Sequence, residues 1–137
     1  VLWHQGESDC LPERYPYYED RLNTMIRALR QALGKPGLPI MIGGLGDYLK
    51  DNPADYLKNY EIINGALKQA ADKDAHCVFV DASGLPSNPD RLHFSAAALK
   101  EFGCRYHEAF MTLPEYESTF LVSDSTDTNI RTEMEQL

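Results

Sequence analysis

Two groups of polar side chains have the residue types and spacing that acid–base chemistry needs. The first is Asp90-Arg91-Leu92-His93, in which a carboxylate precedes an imidazole by three residues. A histidine that acts as a general base needs its second ring nitrogen held, and a carboxylate is a common partner for it. The spacing therefore predicts that Asp90 orients His93. The alternative is purely structural: Asp90 caps a turn after Pro89, and His93 is an exposed loop residue.

The second group is His4-Gln5-Gly6-Glu7-Ser8-Asp9, which directly follows the apolar residues Val1-Leu2-Trp3. The side-chain amide of Gln5 can donate to a developing oxyanion, and Gly6 allows a substrate to approach the backbone closely. Glu7 is a candidate acid or a second partner for a histidine. Alternatively, Glu7 and Asp9 make only turn and cap contacts. The hexapeptide alone favours neither interpretation.

Both groups must be positioned by the elements that precede them. Apolar runs at residues 1–4, 38–42 and 77–80 predict three buried strands. Apolar residues at helical spacing predict a helix over residues 17–33, a second from Pro53 with Asn52 as its N-cap, and a third over residues 95–112. The order β-α-β-α-β-α predicts an α/β fold with a parallel sheet. The helix residues expected to face the core include Tyr18, Leu22, Met25, Ile26, Leu29, Leu33, Tyr56, Tyr60, Ile63, Leu67, Ala70, Leu99, Phe102, Tyr106 and Phe110.

Ligands of open α/β sheets bind beyond the carboxyl ends of the strands. This rule selects three loops, at residues 4–9, 43–51 and 81–94, and two of them carry the polar groups described above. Gly44-Leu45-Gly46 has Leu49 where a dinucleotide-binding loop has its third glycine, so we do not expect a nucleotide. Cys104 and His107 share a helix face without a second pair at zinc spacing, so we expect no metal.

Composition narrows the class of protein further. The chain has 137 residues, a length typical of one domain, and a net charge of −8, which disfavours binding to nucleic acid. Residues 114–137 contain six acids and one base, and we expect them to form a loosely ordered acidic tail after a domain at residues 1–113. Phe120-Leu121-Val122 is the segment of this tail most suited to docking. The three cysteines, Cys10, Cys77 and Cys104, are expected to be buried free thiols.

The N-terminus and the lengths of the apolar runs are the sequence features that could indicate localisation. No apolar run approaches the roughly 18 residues that a membrane span needs. The chain opens at Val1, inside an apolar segment, so we expect an N-terminal part to be missing, with any targeting signal. Localisation and oligomeric state are therefore not predicted from the residues.

Two separate motifs resemble those of a known family. The residues Val-Leu-Trp-His-Gln-Gly-Glu-Ser-Asp at positions 1–9 resemble the signature of the sialate O-acetylesterase-like and acetylxylan esterase-like branch of the SGNH hydrolases. Asp90-Arg91-Leu92-His93-Phe94-Ser95, followed by Gly103-x-Arg105-Tyr106, resembles the final block of that family. The resemblance covers about residues 1–112. It implies a flavodoxin-like three-layer α/β/α fold, of which this chain holds the C-terminal part.

The resemblance also implies a carbohydrate O-acetylesterase that uses a serine nucleophile. His93 matches the base, Asp90 its orienting acid, and Glu7 an acid that shares or assists this role. Gln5 and Gly6 match residues near the oxyanion. No metal or organic cofactor is implied, the implied partner is an acetylated carbohydrate, and a secreted or periplasmic location fits such a substrate. Within such a site we expect residues 43–53 to select the sugar, with Tyr48 as a stacking surface.

The nucleophile motif is not in this chain. Neither Gly-Gln-Ser nor Gly-Asp-Ser occurs among the 137 residues. We therefore expect the chain to be a fragment of an esterase with little or no activity alone. Two alternatives remain open: a non-catalytic flavodoxin-like binding module, and a pseudo-esterase retained for interaction with a partner.

Overall fold

The computed structural model describes residues 1–113. The acidic segment and its docking candidate at residues 120–122 lie outside the described residues, so the division at residue 113 stays a prediction. Three strands and three helices alternate along the described chain: β1 (Leu2–Trp3), α1 (Tyr18–Leu33), β2 (Ile40–Gly43), α2 (Tyr60–Asp72), β3 (Cys77–Val80) and α3 (Ala96–Phe110).

The strands form a parallel sheet in the order β1-β2-β3. Trp3 pairs with Ile42, and Ile42 pairs with Phe79. The predicted α/β class and the order of its elements are confirmed. Because the strands run parallel and in chain order, the loops that follow them emerge at one edge of the sheet.

Helices cover both faces of the sheet. The side chains of β2 alternate: Ile40 and Ile42, both 0% exposed, belong to the core formed with α1 and α2, whereas Met41 belongs to the core formed with α3. This alternation is the period of two that a strand between two helical layers imposes. The arrangement is consistent with part of a flavodoxin-like α/β/α fold. Within residues 1–113, no helix is long and apolar enough to cross a membrane.

The start of the second helix was predicted incorrectly. Helix α2 begins at Tyr60 rather than Pro53, and a short 3-10 helix at Asp55–Asn59 precedes it. The Oδ1 atom of Asn52 does accept the N–H of Ala54 at 2.9 Å, but this bond closes an isolated turn and caps no helix. The amide nitrogen of Asn52 instead donates to the backbone of residues 90 and 91. This tertiary contact accounts for the burial of Asn52 better than a helix cap does.

Several side chains predicted to face the core are exposed. Leu99 is 57% exposed and Phe110 45%, because α3 packs on the sheet through one narrow stripe: Ala98, Phe102 and Tyr106. Leu33 at the end of α1 and Tyr56 before α2 are exposed as well.

The cysteines are all free, as predicted, but they are not all buried. Cys10 and Cys77 are buried, and burial is the main cause that raises the pKa of the Cys10 thiol to about 12. Cys104 is exposed, contrary to the prediction. No group of three metal-binding side chains occurs in the part of the chain that the structure describes.

Candidate active site

Asp90 and His93 form a hydrogen-bonded pair at the carboxyl edge of the sheet. Oδ2 of Asp90 lies 2.7 Å from Nδ1 of His93. The other oxygen, Oδ1, accepts the backbone N–H groups of Leu92 at 2.9 Å and of His93 at 3.1 Å. These three bonds lower the pKa of the Asp90 carboxyl to about 2, and the bond from the imidazole has the largest effect. Asp90 is therefore an ionised acceptor at neutral pH, as the predicted orienting role requires.

This pairing decides which nitrogen of His93 carries the proton. Because Nδ1 faces a carboxylate, the hydrogen bond assigns the proton of the neutral ring to Nδ1 and leaves a lone pair on Nε2. Asp90 is the only hydrogen-bond partner of the ring among residues 1–113. The His93 side chain is 70% exposed. Its free nitrogen is thus available to take a proton from a group outside the described residues.

A tight turn brings the two side chains face to face. Arg91 adopts a left-handed conformation with φ of 52°, which is unusual for a residue other than glycine. Its N–H donates to the carbonyl of Asn88 at 3.0 Å, and the N–H of Asn88 donates to the carbonyl of His93 at 2.8 Å. The reversal at Arg91 is therefore closed on both sides by backbone hydrogen bonds.

Phe94 anchors this turn to the two other loops at the carboxyl edge of the sheet. Its ring is buried and lies 5.4 Å from the ring of His4 and 5.2 Å from the rings of Tyr48 and Phe102. His4 follows β1, Tyr48 follows β2, and Phe94 follows β3. The aromatic cluster holds the Asp90–His93 turn beside the two other loops.

Tyr48 is a second link between the loops. Its hydroxyl donates to the carbonyl of Leu92 at 3.3 Å. Burial raises the pKa of this phenol, and the charges of Glu7, Asp90 and Asp47 raise it further. The hydroxyl is therefore a neutral donor, and the carboxylates of Glu7 and Asp90 lie near the same ring. Its predicted role in stacking on a sugar stays a prediction.

Glu7 lies at the same edge but does not contact His93. Its Oε2 accepts the N–H of Gly6 at 3.1 Å, and Asp90 already occupies Nδ1 of the imidazole. In this structure Asp90, rather than Glu7, holds the histidine. The assisting role of Glu7 stays a prediction.

Gln5 and Gly6 shape the first loop. The amide nitrogen of Gln5 donates to Oδ2 of Asp9 at 2.7 Å, and its backbone carbonyl accepts the Tyr18 hydroxyl at 2.6 Å. Gly6 has φ of 155°, and a Cβ there would lie 2.6 Å from Cγ2 of Ile63. Glycine is required at this position for both reasons. The Gly6 N–H faces the carboxylate of Glu7, so its predicted place at an oxyanion requires an exchange of partners.

The sequence interpretation missed the role of Asn52. Apart from tyrosines, it is the one polar or charged residue that is buried among residues 1–113, with 7% exposed. Its Nδ2 donates to the carbonyls of Arg91 at 2.9 Å and Asp90 at 3.3 Å. An Asn before a Pro resembles a helix cap, and no local pattern indicates a partner 39 residues away.

Two serines near the site, Ser83 and Ser95, have hydroxyls that are engaged elsewhere. The Ser83 hydroxyl donates to Asp81, and the Ser95 hydroxyl accepts the N–H of Ala98 at 3.2 Å to cap α3. Within residues 1–113, no serine hydroxyl is hydrogen-bonded to His93.

A parallel α/β sheet with an Asp–His pair at its carboxyl edge is typical of hydrolases, and the comparison with known families agrees. The family described as "Carbohydrate esterase, sialic acid-specific acetylesterase" matches residues 1–112. The chain therefore belongs to this family of carbohydrate esterases.

One relative has both a sequence and a solved structure. A probable carbohydrate esterase of Arabidopsis thaliana is 32% identical over 116 residues, which cover 82% of this chain and 40% of the relative. The X-ray structure of the Arabidopsis protein has a TM-score of 0.63 at 29% identity and covers 81% of this chain. Only 42% of that solved chain is matched. The present chain thus spans about two fifths of the relative.

Proposed function

We propose that this chain carries the acid–base half of a serine esterase site of the SGNH type, which removes acetyl groups from sugar hydroxyls. In this role His93 is the general base, and Asp90 is its orienting acid. One observation carries the proposal: Asp90 Oδ2 lies 2.7 Å from Nδ1, and Nε2 is left without a partner among residues 1–113. A general base needs this arrangement, because the held nitrogen keeps its proton while the other accepts one.

The reaction proceeds by acyl transfer in two halves. Nε2 of His93 takes the proton of a serine hydroxyl as the serine oxygen attacks the ester carbonyl carbon. The tetrahedral intermediate then expels the sugar oxygen, which receives that proton from the imidazolium. In the second half His93 takes a proton from water, the resulting hydroxide attacks the acetyl-serine, and the proton returns to the serine as acetate leaves. Asp90 stays ionised and stabilises the imidazolium in both halves.

The serine itself comes, in this proposal, from polypeptide other than these 137 residues. The chain has neither Gly-Gln-Ser nor Gly-Asp-Ser, and it spans about two fifths of the Arabidopsis relative. The exposure of His93 supports an approach of this serine from outside the described residues. Gln5 and Gly6 are the proposed donors to the oxyanion, and Gly6 must release Glu7 to act in this way.

The substrate class follows from the family rather than from the pocket. The family description names a sialic acid-specific acetylesterase, and the Arabidopsis relative is named a probable carbohydrate esterase. We propose an acetyl ester on a sugar hydroxyl, with residues 43–53 and Tyr48 in contact with the sugar.

The test uses the gene product that joins these 137 residues to a Gly-Gln-Ser or Gly-Asp-Ser block. His93→Gln should lower kcat for an aryl acetate and for an acetylated sugar by about a thousandfold or more, because the serine loses its base. His107→Gln is the matched control, since His107 is also an exposed histidine but lies on α3. Full activity of His93→Gln would refute the assignment of the base.

The 137-residue chain alone provides a second test. We expect no serine-dependent hydrolysis of an aryl acetate, because no nucleophile accompanies His93. Hydrolysis that a serine-directed inhibitor blocks would overturn the proposed source of the nucleophile. If the coding sequence has no nucleophile block and the chain is inactive, the non-catalytic binding module or pseudo-esterase becomes the better description.

A further inference from the structure

The turn that carries Asp90 and His93 is held by Asp51 and Asn52, which belong to no recognised sequence motif. The backbone carbonyls of Asp90 and Arg91 both point to the buried amide nitrogen of Asn52, at 3.3 and 2.9 Å. The guanidinium of Arg91 returns to the carbonyl of Asp51 at 2.8 Å. The loop after β2 therefore contacts the loop after β3 at the two residues where the chain reverses.

This contact acts where the turn is least stable by itself. Arg91 has a positive φ of 52°, a conformation that costs a non-glycine residue free energy and persists only when its surroundings impose it. The two peptide carbonyls that accept from Asn52 flank the Arg91 peptide nitrogen and its Cα. Hydrogen bonds to both carbonyls fix the orientation of both peptide planes, and hence the direction in which the Asp90 side chain leaves the backbone.

We propose that Asn52 is a positioning residue for the Asp90–His93 pair. Its amide group holds the reversal at Arg91, and this reversal places the Asp90 carboxylate against Nδ1 of His93. The inference rests on the proposed roles of Asp90 and His93, but it concerns the geometry of the pair and is measurable without any ester.

Asn52 has two functions that substitutions can separate. Its Oδ1 closes the turn to the N–H of Ala54 at 2.9 Å, whereas its Nδ2 serves the Asp90–Arg91 turn. Asn52→Asp keeps the acceptor for Ala54 and removes the donors. Asn52→Ala removes both. The matched control is Asn59→Asp, because among the described residues the Asn59 amide donates to one backbone carbonyl, that of Cys10 at 2.9 Å, and to none of residues 88–93.

The readout is the tautomer of His93, observed by long-range proton–nitrogen NMR on the 137-residue chain at alkaline pH. In the unaltered chain the neutral imidazole should carry its proton on Nδ1. In Asn52→Asp and Asn52→Ala it should shift to the mixture of tautomers shown by an unheld ring. Exchange of the Leu92 and His93 amide protons, which bond to Asp90, should accelerate on the order of tenfold. Asn59→Asp should change neither.

The outcomes separate this inference from the esterase proposal. An Asn52→Asp chain that keeps the Nδ1 tautomer would overturn the inference, whether or not the full-length protein is an esterase. A chain with an altered tautomer supports the inference even if the longer protein hydrolyses no ester. If Asn52→Ala does not fold, Asn52→Asp decides. If neither variant folds, the side-chain amide protons of Asn52 in the unaltered chain decide: exchange as fast as that of the exposed Asn88 would overturn the inference.

In the active full-length protein the inference has a kinetic counterpart. Asn52→Asp should lower kcat about tenfold to a hundredfold with little change in KM, because the Asn52 side chain is buried against the Asp90–Arg91 turn, whereas contact with the sugar is proposed for other side chains of residues 43–53. A change confined to KM would place Asn52 in substrate binding instead and contradict the positioning role.

Discussion

Asp90 accepts three hydrogen bonds within a span of four residues: from the imidazole of His93 and from two backbone N–H groups. A carboxylate held in this way binds no proton until the solution is strongly acidic. The same bonds that orient the base therefore also make the geometry of the turn depend on the charge of Asp90.

This dependence predicts how Asp90 contributes to stability as pH changes. The pKa of Asp90 is lowered to about 2 in the folded chain from its ordinary value of 3.8. Its contribution should be complete above pH 3.8 and should disappear as the pH falls through about 2. Urea unfolding of the unaltered chain and of Asp90→Asn should differ at neutral pH and converge near pH 2. A difference that is equally large at both pH values would contradict this account.

Gly6 gives a prediction that depends on backbone conformation and space together. Gly6→Ala places a Cβ 2.6 Å from Cγ2 of Ile63 at a φ of 155°. We expect a loss of about 3 kcal/mol in the free energy of unfolding, from strain and overpacking combined. Gly103→Ala is the control: a Cβ there meets no atom within 4 Å, and Gly103 lies inside α3. It should raise stability by about 0.5–1 kcal/mol. Denaturant unfolding of both variants compares them.

At the scale of elements, the strands and two of the three helices could be predicted because their patterns are local. The apolar run at residues 77–80 coincides with β3, and the helical spacing from Tyr17 predicted α1 to within one residue. The failures share one cause. Asn52, Leu99 and Phe110 were interpreted from their neighbours in sequence, whereas their surroundings depend on which distant element is present.

The same contrast holds for the candidate site. The Asp90–His93 contact could be predicted, because three residues of loop suffice to make it. The contacts of the Gln5 carbonyl with Tyr18 and of Gly6 with Ile63 could not, because Tyr18 and Ile63 lie on helices that are distant in sequence. A motif gives the residue types of a site, but the partner of each polar atom is decided by tertiary structure.

Arg30 illustrates an element-scale contact that links α1 to the starts of two strands. Its Nη1 lies 2.5 Å from Oδ2 of Asp74, before β3, and its Nη2 donates to the carbonyl of Leu38, before β2, at 3.0 Å. The Arg30 side chain is 11% exposed. A largely buried charge with these partners is costly to remove, because the Leu38 carbonyl and Oδ2 of Asp74 then lose the donors that Arg30 supplies.

We therefore expect Arg30→Met to lower the free energy of unfolding by about 2–3 kcal/mol. Arg30→Lys should cause a smaller loss of stability, because a lysine lacks the planar guanidinium that donates to Asp74 and Leu38 together. Arg27→Met is the matched control three residues earlier on α1: Arg27 is exposed, and its one hydrogen bond within residues 1–113 is to Thr24, so its loss should change stability by less than about 0.5 kcal/mol. Equal effects of Arg30→Met and Arg27→Met in urea unfolding would contradict the assigned link.

At the scale of the whole molecule, β1 is an edge strand of the sheet formed by residues 1–113. Within residues 1–113, β1 pairs with β2 on one side and with no strand on the other. The side chains at the start of β1 are exposed: Leu2 is 63% exposed and Val1 42%. An apolar edge strand with unpaired backbone groups is a template for association with another strand. The net charge of −8 opposes such contacts between copies, and salt screens that repulsion.

Strand pairing at β1 and charge repulsion together predict that the isolated 137-residue chain associates, and that this association increases with protein concentration and with salt. Leu2→Lys should suppress it, because a lysine at an edge strand disfavours pairing with a second sheet. Leu99→Lys makes the same change at a leucine that is 57% exposed on α3, away from the sheet edge, and should leave the association in place. Sedimentation velocity at low and high salt measures all three chains. If Leu99→Lys suppressed association as strongly as Leu2→Lys, the contact would follow general surface apolarity. Suppression by Leu2→Lys alone would instead place the contact at β1.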